Sequence, residues 1–254
     1  MTSPYPNNPT FDDYRKMAKD ESLSCYEKIA FPDAYRKNTE VYIFEDILNK
    51  LTHLNQRGKT FLDIGPGCST LPQQLISLCE KNSHTMLLVD SEEMLTHLPD
   101  KPFIQKIKGP FPQTPELLRE YQGKVDCLLS YSLLHLVHAE ASLWHFVDTA
   151  LSLLAPGGEC LFGDVPNMSK RKRFFASENG VRYHQNFTGT DSMPDIQFNS
   201  LERGTLQDKG SLDDALIFGL MLRARSQGFD AYILPQDKRL PLENRREDLL
   251  FRRP

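Results

Sequence analysis

The feature that most constrains the fold is an apolar run that leads directly into a glycine turn and then into a segment with helical periodicity. Residues 61–64 read Phe-Leu-Asp-Ile, and Gly65, Pro66 and Gly67 follow at once. Because glycine lacks a Cβ atom, the backbone can turn sharply here and approach a ligand closely. We expect Thr70 to cap the helix that follows, whose N-terminus can face a ligand. A G-x-G turn alone is equally typical of an ordinary strand-to-helix connection.

From residue 60 onward, short apolar runs alternate with longer segments of helical periodicity, which predicts βαβ units and a parallel sheet. The 254 residues fit one large α/β domain that carries an insertion. We predict seven strands, at residues 60–64, 85–90, 103–107, 124–130, 159–164, 230–234 and about 248–252. Helices are predicted at residues 70–80, 91–98, 115–121, 139–154 and 211–227, and Pro156-Gly157-Gly158 is expected to end one of them.

Two regions do not follow this alternation. In residues 1–59, Val41, Phe44, Leu48 and Leu51 recur at helical spacing, so we expect an N-terminal helical extension on the acceptor side. Residues 60–254 would form the main domain. Within it, residues 165–210 make a polar excursion that is too long for a simple connection, and we expect this insertion to act as a lid or a binding segment.

Composition excludes several classes of function. Thirty Lys and Arg residues against 34 Asp and Glu give a net charge of −4, so no overall basic field would attract nucleic acid or an anionic membrane. No apolar run approaches the roughly 18 residues of a membrane span, and the first residues lack the pattern of a signal peptide. We therefore expect a cytoplasmic protein. A homodimer is compatible with the sequence. The five cysteines are scattered and are expected to be small core residues.

A second carboxylate narrows the choice of cofactor. The apolar run 86–89 ends at Asp90, where the second strand of a doubly wound sheet would present a carboxylate to a ribose diol. The dinucleotide pattern G-x-G-x-x-G would need glycine where this chain has Thr70. Asp63 also disfavours a pyrophosphate, whereas it attracts the cationic ammonium and sulfonium groups of S-adenosylmethionine.

On these residues the sequence resembles the class I S-adenosylmethionine-dependent methyltransferases. The resemblance rests on four motifs that follow one another in the order of a single sheet, at residues 62–67, 89–95, 125–135 and 154–158. It implies a Rossmann-like sheet of seven strands, mostly parallel and with an antiparallel last strand. The cofactor would lie over the carboxyl ends of the first strands.

The resemblance also implies roles for individual residues. Gly65 and Gly67 would face the methionine moiety near Asp63, and Asp90 would accept both ribose hydroxyls. The remaining predicted cofactor contacts are Ser91 and Met94, near the adenosine, and Ser130 and Tyr131, on the cofactor floor. One departure concerns residues 108–111, Lys-Gly-Pro-Phe, where many family members place an acidic residue near the adenine. We expect backbone and apolar contacts to hold the adenine here.

Position alone indicates the candidate catalytic groups. His135 follows the fourth strand and Asp164 ends the fifth, at the edge where acceptors approach in the resembling family, so either can serve as a base or as an acceptor contact. The alternatives are a histidine packed under the next helix and an aspartate that caps a turn. His135 and His138 have a spacing that permits a shared metal, but a third ligand at recognisable spacing is missing, so we predict no metal.

The insertion indicates a substrate class. Residues 170–184 contain five basic residues and one glutamate, a local charge of +4, with aromatic residues interleaved. The functional interpretation is a clamp for a small anionic acceptor, and the alternative is a solvated basic loop. The predicted substrate contacts are Arg171, Arg173, Arg182, Tyr183 and His184. The whole chain also resembles bacterial methyltransferases associated with surface-glycan synthesis, which implies a sugar or nucleotide-sugar acceptor and O-methylation.

Three other functions stay open from the sequence. One is methylation of another small metabolite or natural product. The others are an NAD(P)-dependent enzyme on a similar sheet and a binding protein that holds the cofactor without turnover.

Overall fold

The computed structural model describes residue 6 and residues 9–196 and 212–254. Within them, seven strands form one sheet: β1 (Thr60–Ile64), β2 (Thr85–Asp90), β3 (Ile104–Lys108), β4 (Val125–Tyr131), β5 (Leu154–Pro166), β6 (Asp230–Pro235) and β7 (Arg246–Arg252). Their order across the sheet is β3-β2-β1-β4-β5-β7-β6. Strands β1 to β5 pair in parallel, whereas β7 runs antiparallel to both β5 and β6. The predicted α/β fold, with seven strands and an antiparallel last strand, is confirmed.

The described helices cover both faces of this sheet. They are α1 (Phe11–Lys19), α2 (Asp33–Arg36), α3 (Glu40–Lys50), α4 (Thr70–Asn82), α5 (Glu92–Leu95), α6 (Pro115–Tyr121), α7 (Leu134–Glu140), α8 (Leu143–Ser152), α9 (Met168–Phe175), α10 (Glu178–Thr188) and α11 (Asp214–Ser226). The central strands are mostly apolar, as expected for strands that helices cover on both faces. Successive β1 residues show this, since Phe61 packs with α3 and α4 and Leu62 with α7, α8 and α11.

Helix α3 buries a face that overlaps the predicted one, since Leu51 is buried and Phe44 and Leu48 pack against the core. Ile43 and Ile47 are its buried apolar residues, and the chain continues this buried row with Leu51 and Leu54. Val41, which belongs to the predicted stripe, is 45% exposed. Apolar residues occur on several sides of α3, so the spacing of these residues alone does not show which side faces the sheet.

The predicted helix 139–154 is wrong in its extent. The structure has two helices there, because Ser142 adopts an extended backbone and its hydroxyl accepts a hydrogen bond from the backbone N–H of His145, which starts α8. Strand β5 already begins at Leu154, which pairs with Val125, so Pro156-Gly157-Gly158 lies inside the strand. A bulge in this pairing accommodates the turn-forming residues.

The polar insertion starts with a pair of helices, α9 and α10, that pack against each other. Its remaining residues from 197 onward lie outside the described part of the chain, as does residue 211, the predicted start of the last helix. Asp213 caps α11 by accepting a hydrogen bond from the backbone N–H of Leu216. None of the helices described above is long and apolar enough to cross a membrane.

Candidate functional site

A cavity of about 590 Å³ opens at the carboxyl ends of β1, β2 and β4. Its wall includes Gly65 and Gly67 after β1, Asp90 at the end of β2, and Tyr131 and Ser132 at the end of β4. Ligands of doubly wound sheets bind at this edge, and the volume is in the range of small-molecule sites.

The glycine turn forms the floor of this cavity. Gly65 and Gly67 have φ values of 74° and 65°, in the left-handed region that disfavours residues with a Cβ atom. A Cβ atom at Gly65 would lie 2.8 Å from Cδ2 of Leu133, and one at Gly67 would lie 2.8 Å from Cγ2 of Ile29. Conformation and close packing therefore both require glycine. The backbone N–H of Gly67 donates to Oδ2 of Asp90 over 3.1 Å, which ties the turn to β2.

The N-terminus of α4 is capped by a residue that the sequence does not indicate. Thr70 is not the N-cap as expected; Ser69 holds that position and makes no side-chain cap. The carboxylate of Glu40, from α3, takes over: its Oε2 accepts from the backbone N–H of Leu71 over 2.6 Å and from the Thr70 hydroxyl over 2.5 Å. Glu40 is 2% exposed and lines the cavity, and its Oε1 is buried without a hydrogen-bond partner among the described residues.

Two further carboxylates give this end of the cavity an acidic character. Asp90 accepts from the backbone N–H groups of Ser91, over 2.7 Å, and of Gly67, and burial raises its pKa to about 6. Asp63 is 2% exposed; burial and then the charge of Asp90 raise its pKa well above the ordinary value. Because charge here is poorly solvated, a cation in the cavity would stabilise both carboxylates.

The end next to β3 is mostly apolar. Met94, Gly109, Pro110 and Phe111 line it, together with Lys108. Ser91 holds this part in place, because its hydroxyl accepts from the backbone N–H of Met94 and caps α5. A flat apolar ring would fit against these residues.

Helix α1 lies over the same end of the cavity. Phe11, Tyr14 and Arg15 line the wall. Arg15 and Lys19 both pair with Glu93 on α5, over 3.0 and 2.9 Å. From the sequence we expect residues 1–59 to form a lid or the acceptor side, but not these contacts, because they join residues about 75 positions apart.

On the other side, the ends of β4 and β5 hold a cluster of charged residues. Ser132 and Asp164 have φ values of 57° and 58°, which residues other than glycine rarely adopt, and the Ser132 hydroxyl donates to Oδ2 of Asp164. The same oxygen accepts from Arg246 over 2.7 Å and from Arg36 over 3.4 Å. Gln236 donates to Oδ1 over 3.2 Å. Asp164, predicted as a catalytic residue, does not line the cavity itself, but Arg36 and Ser132 do.

His135, the other predicted catalytic residue, lies in the first turn of α7 and is also outside the cavity wall. Its Nδ1 is buried and has no hydrogen-bond partner within the described chain. Burial, and then the charge of Arg246, lower its pKa to about 4, against the opposite effect of Asp164. The imidazole is therefore neutral at pH 7, so its unpartnered nitrogen can accept a hydrogen bond.

Seven of the eight predicted cofactor residues line the cavity: Asp63, Gly65, Gly67, Asp90, Ser91, Met94 and Tyr131. Ser130 does not, because it is 1% exposed and its side chain is enclosed in the sheet without a hydrogen-bond partner among the described residues. Tyr131 is held against Gly163, where a Cβ atom would lie 2.4 Å from the ring.

The predicted substrate residues on α9 and α10 lie apart from the cavity wall. Two of the basic residues have local partners, since Arg173 pairs with Asp214 and Arg182 donates to Asn179. Tyr183 stacks on Phe187 with ring centroids 6.3 Å apart, and His184 is 3.2 Å from the hydroxyl of Ser192.

Arg171 differs from these neighbours. Its guanidinium lies over Phe175 at 5.2 Å, and that of Arg245 lies 5.6 Å from the same ring. Burial and the charge of Arg245 lower the pKa of Arg171. The charge of Asp195 opposes this effect, so the two arginines lie next to a carboxylate as well as to the first residues of β7.

No group of three or more His, Cys, Asp or Glu residues in the described ranges has the geometry of a metal site. His135 and His138 thus find no third ligand there.

No protein-family model matches the sequence, and no curated protein matches it. Solved structures do share the fold. The CurJ carbon methyltransferase superposes with a TM-score of 0.55 at 16% identity. The match covers 87% of this chain but only 57% of the CurJ chain. A SAM dependent methyltransferase from Aquifex aeolicus gives 0.53 at 12% identity and covers 90% and 97% of the two chains. The plantazolicin methyltransferase BamL, solved with a triazolic desmethylPZN analog and SAH, gives 0.55 at 12% identity and covers 95% and 96%. The protein has the fold of these methyltransferases.

Proposed function

We propose that the protein is an S-adenosylmethionine-dependent methyltransferase that acts on a small acceptor. The observation that carries the proposal is the set of three carboxylates, Glu40, Asp63 and Asp90, in the wall of a glycine-lined cavity at the carboxyl ends of β1 and β2. When bound, the cofactor supplies an electrophilic methyl group on a positively charged sulfur.

The residues present fit this group. Each carboxylate oxygen of Asp90 already accepts a hydrogen bond from a backbone N–H group. The remaining lone pairs can accept hydrogen bonds from the two ribose hydroxyls. The unpartnered Oε1 of Glu40 can accept from the ammonium group. Met94 and Phe111 offer apolar surface to the adenine, as expected from the absence of an acidic residue at 108–111.

A dinucleotide fits less well. Its pyrophosphate would bring two negative charges beside the three carboxylates, and burial already disfavours the charged forms of Asp63 and Asp90. Thr70 stands where the third glycine of the dinucleotide pattern would be, and its hydroxyl is bonded to Glu40. The cavity therefore favours a cationic ligand.

For the acceptor, we infer a small molecule that approaches past the ends of β4 and β5. Methyl transfer needs alignment and exclusion of water, and helix α1 and Phe31 enclose the cavity. His135 and Asp164 stay predicted as catalytic residues; because neither lines the cavity, we infer that Asp164 acts through Arg36 and Ser132, which do. An anionic acceptor, a sugar or nucleotide-sugar among them, O-methylation and contacts from α9 and α10 stay predictions from the sequence.

Isothermal titration calorimetry with S-adenosylhomocysteine tests the cofactor. We expect saturable binding by the wild-type protein and loss of binding for Asp90→Ala. The matched control is Asp148→Ala, which removes an exposed partner of Arg223 away from the cavity. Stabilisation by NADH and not by S-adenosylhomocysteine would favour the nicotinamide alternative. Transfer of a labelled methyl group to a small molecule in a cell extract separates an enzyme from a binding protein.

A further inference from the structure

We propose, on the basis of the methyltransferase function above, that Arg36 forms an anion-binding site for the acceptor in the cavity wall at the ends of β4 and β5. The acceptor would carry a carboxylate or a phosphate close to the atom that receives the methyl group.

The first reason is the way in which Arg36 is paired. Arg36 is 4% exposed, and a buried guanidinium is costly unless an anion balances it. Among the described residues its carboxylate partner is Asp164, at 3.4 Å, and Arg246 binds the same oxygen more closely, at 2.7 Å. The other two carboxylates of this network, Asp46 and Asp248, form ion pairs with Lys50 instead, with oxygen atoms 2.6 and 2.7 Å from its Nζ. Two guanidiniums thus share one carboxylate, which leaves Arg36 able to bind another.

The second reason is the direction of its free donors. Every side-chain hydrogen bond that Arg36 makes within the described chain starts from Nη2, to Ser132 over 2.9 Å and to Asp164. The ring of Phe31 covers one face of the guanidinium, with Cζ 3.9 Å from the ring centroid. Nε and Nη1 therefore remain on an edge of a side chain that lines the cavity. Ser132 and Asp164 are hydrogen-bonded to each other, so one N–H of Nη2 can serve both of them. The other N–H of Nη2 then lies parallel to an N–H of Nε or of Nη1, and such a pair matches the two oxygens of a carboxylate or phosphate.

The third reason is the position of Arg36 relative to the acidic residues. Asp90 ends β2 and Ser132 follows β4, and these strands flank β1. Neighbouring strands are about 4.8 Å apart, so these ends are separated by roughly 10 Å across the sheet. The cavity consequently has an acidic side and a basic side, which suits a cationic ligand next to an anionic one.

The two hydrogen-bond partners of Arg36 are also held in a strained backbone conformation. Ser132 and Asp164, the two residues that receive its hydrogen bonds, both have positive φ. Residues other than glycine rarely adopt this left-handed conformation, and such strain is concentrated at functional sites. It fixes the two hydrogen-bond acceptors that orient the guanidinium.

The test uses inorganic phosphate as the probe, with the full-length protein saturated with S-adenosylhomocysteine and the ionic strength held constant with KCl. We expect phosphate to raise the melting temperature of the wild-type complex in a saturable manner. Arg36→Gln and Arg36→Lys should weaken the apparent phosphate Kd at least tenfold, since the lysine keeps the charge but loses the planar fork. The matched control, Arg223→Gln, changes an exposed arginine on α11 and should stay within twofold of wild type.

The amino-acid carboxylate of the cofactor is a second source of the same chemistry, and a second titration separates the two. S-adenosylhomocysteine carries that carboxylate, whereas 5′-methylthioadenosine does not. An acceptor site predicts that Arg36→Gln changes the Kd of neither ligand by more than threefold. A tenfold loss for S-adenosylhomocysteine alone would overturn the proposal, because Arg36 would then hold the cofactor.

The proposal is equally overturned if the wild-type complex does not bind phosphate, or if both Arg36 variants bind it as wild type does. Should Arg36→Gln fail to fold, Arg36→Lys decides by the same criteria, because it retains a cation beside Asp164. Failure of the wild-type protein to bind S-adenosylhomocysteine would instead refute the methyltransferase function.

Discussion

The carboxylate of Glu40 accepts a hydrogen bond from the backbone N–H of Leu71 over 2.6 Å, which joins α3 to the first turn of α4 across 31 positions of sequence. One carboxylate oxygen thus stabilises a helix N-terminus, whereas the other is buried next to the cavity without a partner among the described residues. The two oxygens have separable roles.

Substitutions at Glu40 should separate these roles. Glu40→Ala removes the cap, and we expect a loss of about 1–2 kcal/mol in the free energy of unfolding, measured with urea. Glu40→Gln keeps an oxygen for Leu71 but loses the charge, so it should be more stable than the alanine variant and yet bind S-adenosylhomocysteine at least tenfold more weakly than wild type. Wild-type affinity in Glu40→Gln would show that the free oxygen does not meet the ammonium group.

The affinity for S-adenosylhomocysteine should depend on pH through Asp90. Its pKa is raised to about 6 in the ligand-free protein, and the ionised carboxylate is the form that accepts two hydroxyls. We therefore expect the affinity to fall as the pH decreases from 7 to 5, because binding must first remove a proton. Asp90→Asn should bind weakly and without this dependence. An identical pH profile in the two proteins would exclude Asp90 as its origin.

The same pKa predicts how the stability of the ligand-free protein changes with pH. The unfolded chain titrates this group near pH 4, so the folded protein binds the proton more tightly between about pH 4 and 6. The contribution of Asp90 to stability therefore decreases as the pH rises through this window. Asp248, whose pKa is also about 6, acts in the same direction. Urea unfolding of wild type and Asp90→Asn across this range measures the difference.

The glycine turn allows a comparison between two similar backbones. Gly67 and Gly58 both have φ of 65°, so alanine should cost each about 1–2 kcal/mol in strain. At Gly58 nothing lies within 4 Å of the added Cβ, whereas at Gly67 it meets Ile29, which lines the cavity. We expect Gly67→Ala to weaken binding of S-adenosylhomocysteine at least tenfold and Gly58→Ala to leave it unchanged. Equal affinities in calorimetry would contradict a ligand above this turn.

His135 should titrate well below the usual range for histidine. With a pKa of about 4, its ring stays neutral down to about pH 5, and this can be followed by ¹H–¹⁵N NMR of the imidazole. Arg246→Gln removes the second of the two causes, so the midpoint should rise but stay below the usual range, because burial, the larger cause, remains. A wild-type midpoint near 6.5 for His135 would show that the ring is solvated.

Much of the sheet could be predicted from the sequence, because the signals that define a strand lie within the strand and the residues next to it. Strands β1 and β2 match their predicted bounds because each is a short apolar run that ends at a polar residue or a glycine. The cofactor side of the cavity followed from the same runs, since Gly65, Gly67 and Asp90 stand directly at strand ends.

The rest depends on contacts between distant segments. Glu40 and Arg36 reach the cavity from helices before the sheet, with partners 31 and 128 positions away, and no spacing rule connects such pairs. The local charge of +4 in the insertion was visible, but its arginines meet Asp214 and Asn179 in three dimensions. Composition counts such charges without showing how they are paired.

The position of β7 between β5 and β6 has a consequence for how the protein is made. Strand β7 is the pairing partner of β6 and the second pairing partner of β5. Residues 246–252 must therefore leave the ribosome before either strand can complete its pairing. Until then, β5 exposes an unpaired edge to which other chains can add. Arg246 and Asp248 belong to this strand, so the charged network around Asp164 is complete only once β7 has paired with β5. A nascent chain would therefore form the edge of the cavity at β1 and β2 before this network.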